Sequence, residues 1–411
     1  MLNGLRRALY EADHTSLHNQ QMALGESDLE TGNRKRLDGI DVLRGLAIFF
    51  VLMNHVNMRL LLAQVPYTNG LPRLLVQSLV WNGGFGVQIF FAISGFLITS
   101  ISLGRWGSLS EISVRNFYRL RFARIAPLLF LVLAALSGLH VAGVHSFVVP
   151  AKTGGLGRAL LAALTFHLNL LEAWRGYLPG SWDILWSLSV EEMFYLFFPL
   201  LARLLGRSKL FIIVLCAFVV LGPFGRRAFT HGNPIWQEKS YLGGMDAIAL
   251  GCLTALLVSR IRFQRAALRT FSWIGIGLLV LVLVFGSEPF LRGLDRKGLE
   301  ETILAIGTCL ISIASAQTQW KSPHLLRPLL KIGQYSYEVY LTHMFVVFAL
   351  FSIFLDYGKP MRLVPAFFVL TILISGLLGA LIAHLYSEPM NRHLRHRAGI
   401  DRAAMRQSAA N

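Results

Sequence analysis

The hydrophobic positions of this chain are gathered into long runs, and short polar segments separate them. A bilayer core is about 30 Å thick, and roughly 20 apolar helical residues are needed to cross it. The pattern therefore predicts an all-α protein, a polytopic bundle of membrane helices. Eleven candidate runs lie near residues 40–58, 80–101, 126–144, 158–172, 184–202, 209–224, 241–258, 271–287, 300–316, 335–355 and 363–386.

The basic residues between the runs test this count, because cytoplasmic loops carry an excess of Lys and Arg. Basic clusters before the first run and after the last predict that both termini are cytoplasmic, which requires an even number of crossings. The run at 158–172 is the best candidate not to cross, since it is short and contains Arg158, His167, Asn169 and Glu172. The sequence therefore predicts about ten transmembrane helices plus one re-entrant or interfacial helix.

The composition supports a membrane protein. Hydrophobic residues make up 54% of the chain and charged residues only 15%, against roughly 25% charged residues in ordinary soluble proteins. We attribute the formal net charge of +17 to basic residues that keep loops on the cytoplasmic side and that contact anionic membrane lipid or a phosphorylated ligand. A nucleic-acid partner is not expected, because no known reader module is present. Cys216, Cys252 and Cys309 lie inside apolar runs and indicate small core residues, and no metal site is predicted.

Polarity also divides the chain into three parts. Residues 1–36 are polar, contain no cleavable signal peptide, and are expected to form a poorly ordered cytosolic tail. Residues 37–390 form the membrane domain, and residues 391–411 form a basic cytosolic tail.

Arg44 and His55 are the most informative polar residues of the first run. Ionisable groups inside a span are costly and are functional candidates by default. Eleven residues separate the two, which on a helix is three turns plus about 20°, so they project from one face about 16 Å apart. His55, beside Asn54, could move a proton, although a satisfied structural histidine is the alternative.

A second candidate element is the basic stretch that includes Arg121 and Arg124. The two arginines are neighbours on a helix face, and Pro127 suits the first turn of a helix. Guanidinium groups beside a helix start could hold phosphate oxygens. Plain positive-inside charge is the alternative interpretation.

A third candidate element is the acidic pair Glu191 and Glu192, near the mouth of a span that is expected to face outward. His55 lies toward the same side, so a carboxylate could meet the imidazole there and orient it. The alternative is a structural ion pair with an arginine of another span.

At these residues the sequence resembles the membrane acyltransferase-3 family, and the resemblance covers about residues 37–390. Five elements follow in the family's order, and the clearest departure is Met193, where many members have Gln. The elements are Arg44 with His55, the segment 90–98 (FFAISGFLI), the segment 121–127 (RFARIAP), the segment 186–195 (WSLSVEEMFY) and the segment 335–343 (YSYEVYLTH).

The resemblance implies a membrane acyltransferase with named site residues. Arg121 and Arg124, with Arg44, would hold the phosphates of an acyl-CoA donor near the cytoplasmic face. His55 would act as the general base or carry the acyl group transiently, and Glu191 would orient His55 or the acceptor. The expected supporting residues are Asn54, Trp186, Ser187, Tyr195 and His343.

The implied reaction is transfer of an acyl group, by default acetyl, to a hydroxyl of a carbohydrate or lipid-linked glycan. The donor acyl-CoA (acetyl-CoA) is a substrate, and no permanently bound cofactor is expected. The implied location is the bacterial inner membrane. Two alternatives stay open: the same chemistry on a small soluble acceptor such as a macrolide, and a transporter of glycan or protons.

Overall fold

The computed structural model describes residues 36–230, 232–286, 288, 291, 293–294 and 297–397. In these residues the chain is helical and contains no strand, which confirms the predicted all-α class. The α-helices are α1 Asp38–Leu62, α2 Arg73–Val80, α3 Gly83–Trp106, α4 Val114–Val141, α5 Gly155–Leu164, α6 Leu168–Arg175, α7 Gly180–Asp183, α8 Trp186–Leu205, α9 Lys209–Arg226, α10 Pro234–Lys239, α11 Tyr241–Arg260, α12 Arg265–Phe285, α13 Glu300–Thr318, α14 Arg327–Gln334, α15 Ser336–Asp356, α16 Val364–Ile382 and α17 Glu388–Arg397.

Ten helical segments of the described chain are long and apolar enough to cross a membrane. The count agrees with the predicted ten crossings. These segments are α1, α3, α4, α7 with α8, α9, α10 with α11, α12, α13, α15, and the stretch Met361–Arg397 that contains α16 and α17.

The run at 158–172 is divided between two short helices, α5 and α6, and does not form one continuous helix. The break lies at Phe166, whose φ of +55° is a left-handed conformation that ends a right-handed helix. Before α5 the chain bends by 95° at the junction with the stretch His145–Thr153, and the bent pair makes an eleventh span only if both parts are counted together. A short, bent segment fits the predicted re-entrant or interfacial element.

Glycines allow the central helices to approach closely. Gly95 of α3 lies against the backbone of Ile248 in α11, and Gly251 of α11 lies against the backbone of Ala92 in α3. A Cβ at either glycine would overlap a carbonyl oxygen of the opposite helix. Small residues at such crossings are typical of membrane helix pairs, because dispersion contacts drive association there.

Helix α4 begins earlier than the apolar run predicts, and this corrects the expected position of its arginines. Pro127 is a buried residue inside α4 and does not lie in its first turn, so Arg121 and Arg124 are inside the helix. Neighbouring helices supply donors to this turn: the hydroxyl of Tyr337 donates to the Ile125 carbonyl at 2.8 Å, and that of Tyr386 donates to the Pro127 carbonyl at 3.2 Å. These bonds attach the turn that contains Pro127 to neighbouring helical segments.

A buried ionic network joins α9, α11 and α13. The guanidinium of Arg226 donates to both carboxylate oxygens of Asp246, at 2.8 and 2.9 Å, and to the hydroxyl of Thr302 at 2.7 Å. Arg226 and Asp246 are almost wholly buried, and a buried pair with this many bonds fixes the three helices relative to one another.

The two predicted tails lie mostly outside the described residues. Of the predicted tail 1–36, the structure describes only Arg36. Of the predicted tail 391–411, it describes residues 391–397, which continue helix α17 after a π-helical turn at Ala383–Ser387. The helical path therefore extends past the predicted boundary at residue 390.

Candidate active site

Helix α1 carries Arg44 and His55, and both side chains keep accessible surface within the bundle. His55 is half-buried, and the side chain of Arg44 is 22% exposed. The nearest acid to Arg44 is Asp41, one turn earlier, at 3.9 Å, which is too long for a strong hydrogen bond. Each side chain is therefore available to a ligand, and the two lie on the same helix.

The imidazole ring of His55 contacts a second histidine, His343 of α15. The two ring centroids are 5.0 Å apart and the ring planes are tilted by 41°. His343 is fully buried, and its Nδ1 lies 2.6 Å from the carbonyl oxygen of Tyr340. The sequence places His343 among the supporting residues, and the structure puts it directly beside the candidate base.

A cluster of charged residues lies near His55, and none of its members is among the site residues predicted from the sequence. Lys239 is 1% exposed and forms ion pairs with Glu172, at 2.9 Å, and with Asp183. The positive charges of Lys239 and Arg59 both act on His55. Burial, together with the charge of Asp183, raises the pKa of Glu172 well above its ordinary value, while Lys239 opposes this shift. The polarity of Glu172 within an apolar run was the available sequence signal.

Glu191 lies in a polar cluster between α3, α4 and α8. Its carboxylate accepts hydrogen bonds from the hydroxyl groups of Ser94 and Tyr195, the latter at 2.6 Å. The guanidinium of Arg121 stands 3.7 Å above the Tyr195 ring, 3.0 Å from Glu192 and 4.0 Å from Glu191. The ion-pair interpretation of the acids therefore matches the contacts, and the contacts described for Glu191 do not include His55.

Arg124 forms its ion pair with α15 and interacts electrostatically with Arg44. It forms an ion pair with Glu338 at 3.3 Å and lies over the ring of Tyr337 at 5.3 Å, and its side chain is 34% exposed. Arg44 interacts electrostatically with Arg124, Glu338 and Glu191. The structure thus brings Arg44 and Arg124 together, whereas Arg121 is engaged with the two acids of α8.

The remaining predicted residues line or brace the same region. Asn54 packs against Gly83 at the start of α3. Trp186 meets the ring of Phe91 edge-on, with centroids 6.3 Å apart. The Ser187 hydroxyl lies 2.6 Å from the hydroxyl of Tyr340, so the helix that carries His343 is fixed to the start of α8.

No group of three or more His, Cys, Asp or Glu residues that could hold a metal ion occurs in the part of the chain that the structure describes. The ionisable residues named above are paired with one another or partly exposed, except for the buried imidazole of His343. Their arrangement gives two distinct regions, a basic one at Arg44 and Arg124 and an imidazole pair at His55 and His343.

Comparison with known sequences finds a family profile and curated relatives that are similar to this chain. A family profile described as "Acyltransferase domain" matches residues 37–383. The O-acetyltransferase OatA of Staphylococcus aureus is 24% identical over 373 residues, which cover 87% of this chain and 57% of that protein. The peptidoglycan O-acetyltransferase OatA of Listeria monocytogenes is 26% identical over 347 residues, 76% of this chain and 49% of that protein. The chain thus spans about half the length of these curated relatives, and no solved structure matches it.

Proposed function

The chain belongs to the acyltransferase-3 family, and on this premise we propose that it transfers an acyl group, by default acetyl, from acyl-CoA to a hydroxyl of a carbohydrate or glycan acceptor. The ten apolar helical segments found among its described residues and its bacterial relatives support an integral membrane protein of a bacterial cell membrane. The proposal includes cytoplasmic N- and C-termini, which agree with an even number of crossings.

The observation that carries the proposal is the placement of two chemically different groups on α1. Arg44 and His55 each keep accessible surface inside the bundle, and the helix rise separates them by about 16 Å. An acyl-CoA molecule likewise has two chemically different ends. Its phosphates lie at one end of the long pantetheine arm, and its reactive thioester lies at the other. A donor with its phosphates at Arg44 would present its thioester toward His55.

Arg44 and Arg124 are the proposed phosphate contacts. Two guanidinium groups close enough to repel each other gain from a shared anion, and guanidinium forks suit phosphate oxygens. Arg121 is less available, since Glu192 and the Tyr195 ring already engage its guanidinium. We assign Arg121 and Glu191 to positioning, because their mutual contacts fix α4 against α8 beside the basic region.

His55 is the proposed general base. Its neutral imidazole would take the proton of the acceptor hydroxyl as that oxygen attacks the thioester carbonyl carbon. The carbon–sulfur bond then breaks, the acyl group stays on the acceptor oxygen, and His55 returns the proton to the departing CoA sulfur. A hydroxyl of peptidoglycan glycan is the favoured acceptor, because the Listeria relative is named for peptidoglycan.

Replacing Arg44 or Arg124 with alanine is expected to weaken acetyl-CoA binding. Each charge-assisted phosphate contact contributes about 1.5–3 kcal/mol, so each variant should raise the Kd by roughly tenfold or more. The measurement is thermal stabilisation of the purified protein in nanodiscs by acetyl-CoA, with dephosphorylated CoA analogues for comparison.

Arg262→Ala is the matched control, because Arg262 is exposed in the loop between α11 and α12. Equal affinity in the Arg44 and Arg124 variants would remove both residues from the donor site. Absence of stabilisation by millimolar acetyl-CoA in the wild-type protein would contradict the acyl-CoA donor itself and favour a transporter.

A further inference from the structure

The starting observation is the hydrogen-bonding state of His343. A backbone carbonyl can only accept hydrogen bonds, so the 2.6 Å contact between Nδ1 and the Tyr340 carbonyl requires a proton on Nδ1. In a neutral imidazole the lone pair then lies on Nε2. That atom is buried and has no hydrogen-bond partner, although buried polar atoms are nearly always paired.

The surroundings identify the donor that this lone pair could meet. The ring of His55 lies against that of His343, with centroids 5.0 Å apart, and a neutral His55 carries one N–H. The χ2 torsion of histidine is broad, so rotation of the His55 ring about this torsion can direct its N–H toward Nε2. Catalytic hydrogen bonds are often long without substrate and shorten in the complex.

We infer that His343 is the positioning residue for His55, a neutral counterpart of the carboxylate that orients the base in a Ser-His-Asp triad. The hydrogen-bonded chain runs from the Tyr340 carbonyl through Nδ1–H and Nε2 of His343 to the N–H of His55. The other ring nitrogen of His55 then presents its lone pair to the acceptor hydroxyl. This inference rests on the proposed function and adds a residue to it.

The two charged groups that act on His55 cannot accept a hydrogen bond from its N–H, because both are cations. Arg59 from α1 and Lys239 from α10 act on it, and the carboxylate of Glu191 is engaged by Ser94 and Tyr195. During transfer the proton of the acceptor hydroxyl moves to His55 and then to the CoA sulfur, while His343 keeps its own proton and accepts a hydrogen bond throughout. No further co-reactant is needed.

Two substitutions separate this role from simple packing. Asparagine places its amide near the position of Nδ1 and can still donate to the Tyr340 carbonyl, but it lacks an acceptor at the position of Nε2. Glutamine places its amide oxygen near Nε2. His343→Asn is therefore expected to keep the fold and lower kcat by about 100-fold with an unchanged KM for acetyl-CoA, and His343→Gln should recover part of kcat.

The assay uses the full chain in nanodiscs, with acetyl-CoA as donor, a chito-oligosaccharide as acceptor and CoA release as readout. A second readout does not depend on transfer: the rate at which diethyl pyrocarbonate modifies His55, measured by peptide mass spectrometry relative to the exposed His324. Attack on this reagent needs the same lone pair and develops the same positive charge on the ring. Modification of His55 should therefore slow several-fold in His343→Asn.

The control is His384→Asn, since His384 is 59% exposed and bonds Tyr335 away from the site. Unchanged kcat and unchanged His55 modification in His343→Asn would overturn the inference, as would a wild-type His55 that the reagent never modifies. If modification slows in His343→Asn while the wild-type protein turns over no acetyl-CoA, the histidine pairing stands and the proposed function fails. Should the Asn variant not fold, the glutamine variant supports the inference if His55 is modified at close to the wild-type rate, and overturns it if modification slows several-fold.

Discussion

His55→Ala is expected to reduce acyl transfer by about 10⁴-fold, the upper range for loss of a positioned acid–base catalyst, while the chain stays folded. The alanine removes the only proposed proton acceptor for the attacking hydroxyl. The measurement is the initial rate of CoA release from acetyl-CoA with glycan acceptor, alongside thermal unfolding. Binding of acetyl-CoA should be retained, since the proposed phosphate contacts are about 16 Å away along α1.

His384→Ala serves as the matched control, because that histidine is exposed in the π-helical turn and lies outside the site. Retention of more than a small fraction of the wild-type rate in His55→Ala would end the assignment of His55 as base. A wild-type protein that becomes covalently labelled by radioactive acetyl-CoA, with the label lost in His55→Ala, would instead make His55 a transient acyl carrier.

The crossing helices could be predicted from sequence because a bilayer imposes a length and a polarity that few other structures share. The start of α4 could not, because hydropathy reports which residues meet lipid and says little about where a helix begins. The arginine-containing segment from Val114 to Arg124 belongs to the same helix, α4, as the apolar run that follows it. The predicted helix start at Pro127 was wrong for this reason, although the grouping of Arg121 and Arg124 on one helix was right.

The site residues on one helix were easier to predict than the partners between helices. Arg44 and His55 share a face of α1 by periodicity alone. Whether Glu191 meets His55 depends on the rotation of α8 relative to α1, which neither helix encodes by itself. In the structure the hydroxyl groups of Ser94 and Tyr195 engage Glu191, and His343 takes the place beside His55.

The contacts of His343 and Lys239 could not be predicted from a single sequence, although the family resemblance already indicated His343 as a supporting residue. The tyrosines around His343 are also typical of an interfacial belt, so its contact with a residue almost 300 positions earlier left no local signal. Lys239 ends the six-residue helix α10, and in the sequence it precedes the apolar run at 241–258, where a basic residue ordinarily indicates an exposed loop. Only the packing of α10 against α6 and α8 buries its ammonium group beside two carboxylates.

Lys239→Met is expected to lower the free energy of unfolding by about 3–5 kcal/mol, the usual cost of breaking a buried ion pair by removing one partner. Lys239 and Glu172 are 1% and 0% exposed in their side chains, so the substitution leaves Glu172 and Asp183 together without their cation. The measurement is thermal or denaturant unfolding of the protein in nanodiscs, followed by tryptophan fluorescence.

Two further measurements test whether the two uncompensated carboxylates cause this loss of stability. They are the pH dependence of the stability and the stability of a variant in which the carboxylates are also neutralised. Burial and Asp183 already raise the pKa of Glu172 well above its ordinary value, so the carboxyl group is more readily protonated in the folded state than in the unfolded one. The deficit of Lys239→Met should then be largest at high pH and shrink as the pH falls through the folded-state pKa. The triple variant Lys239→Met, Glu172→Gln and Asp183→Asn should recover much of the loss, because the two carboxylates that form ion pairs with Lys239 are then uncharged as well.

Lys321→Met is the matched control for these measurements. Lys321 is 77% exposed and lies 3.6 Å from Asp38, and removal of a surface charge of this kind usually changes stability by about 0.5 kcal/mol or less. A Lys239→Met variant as stable as the control would mean that solvent or protonation already compensates the two carboxylates. The ammonium group is also one of the two positive charges that act on His55. In the triple variant, restored stability with a changed transfer rate would therefore show that the charges of this cluster affect the base.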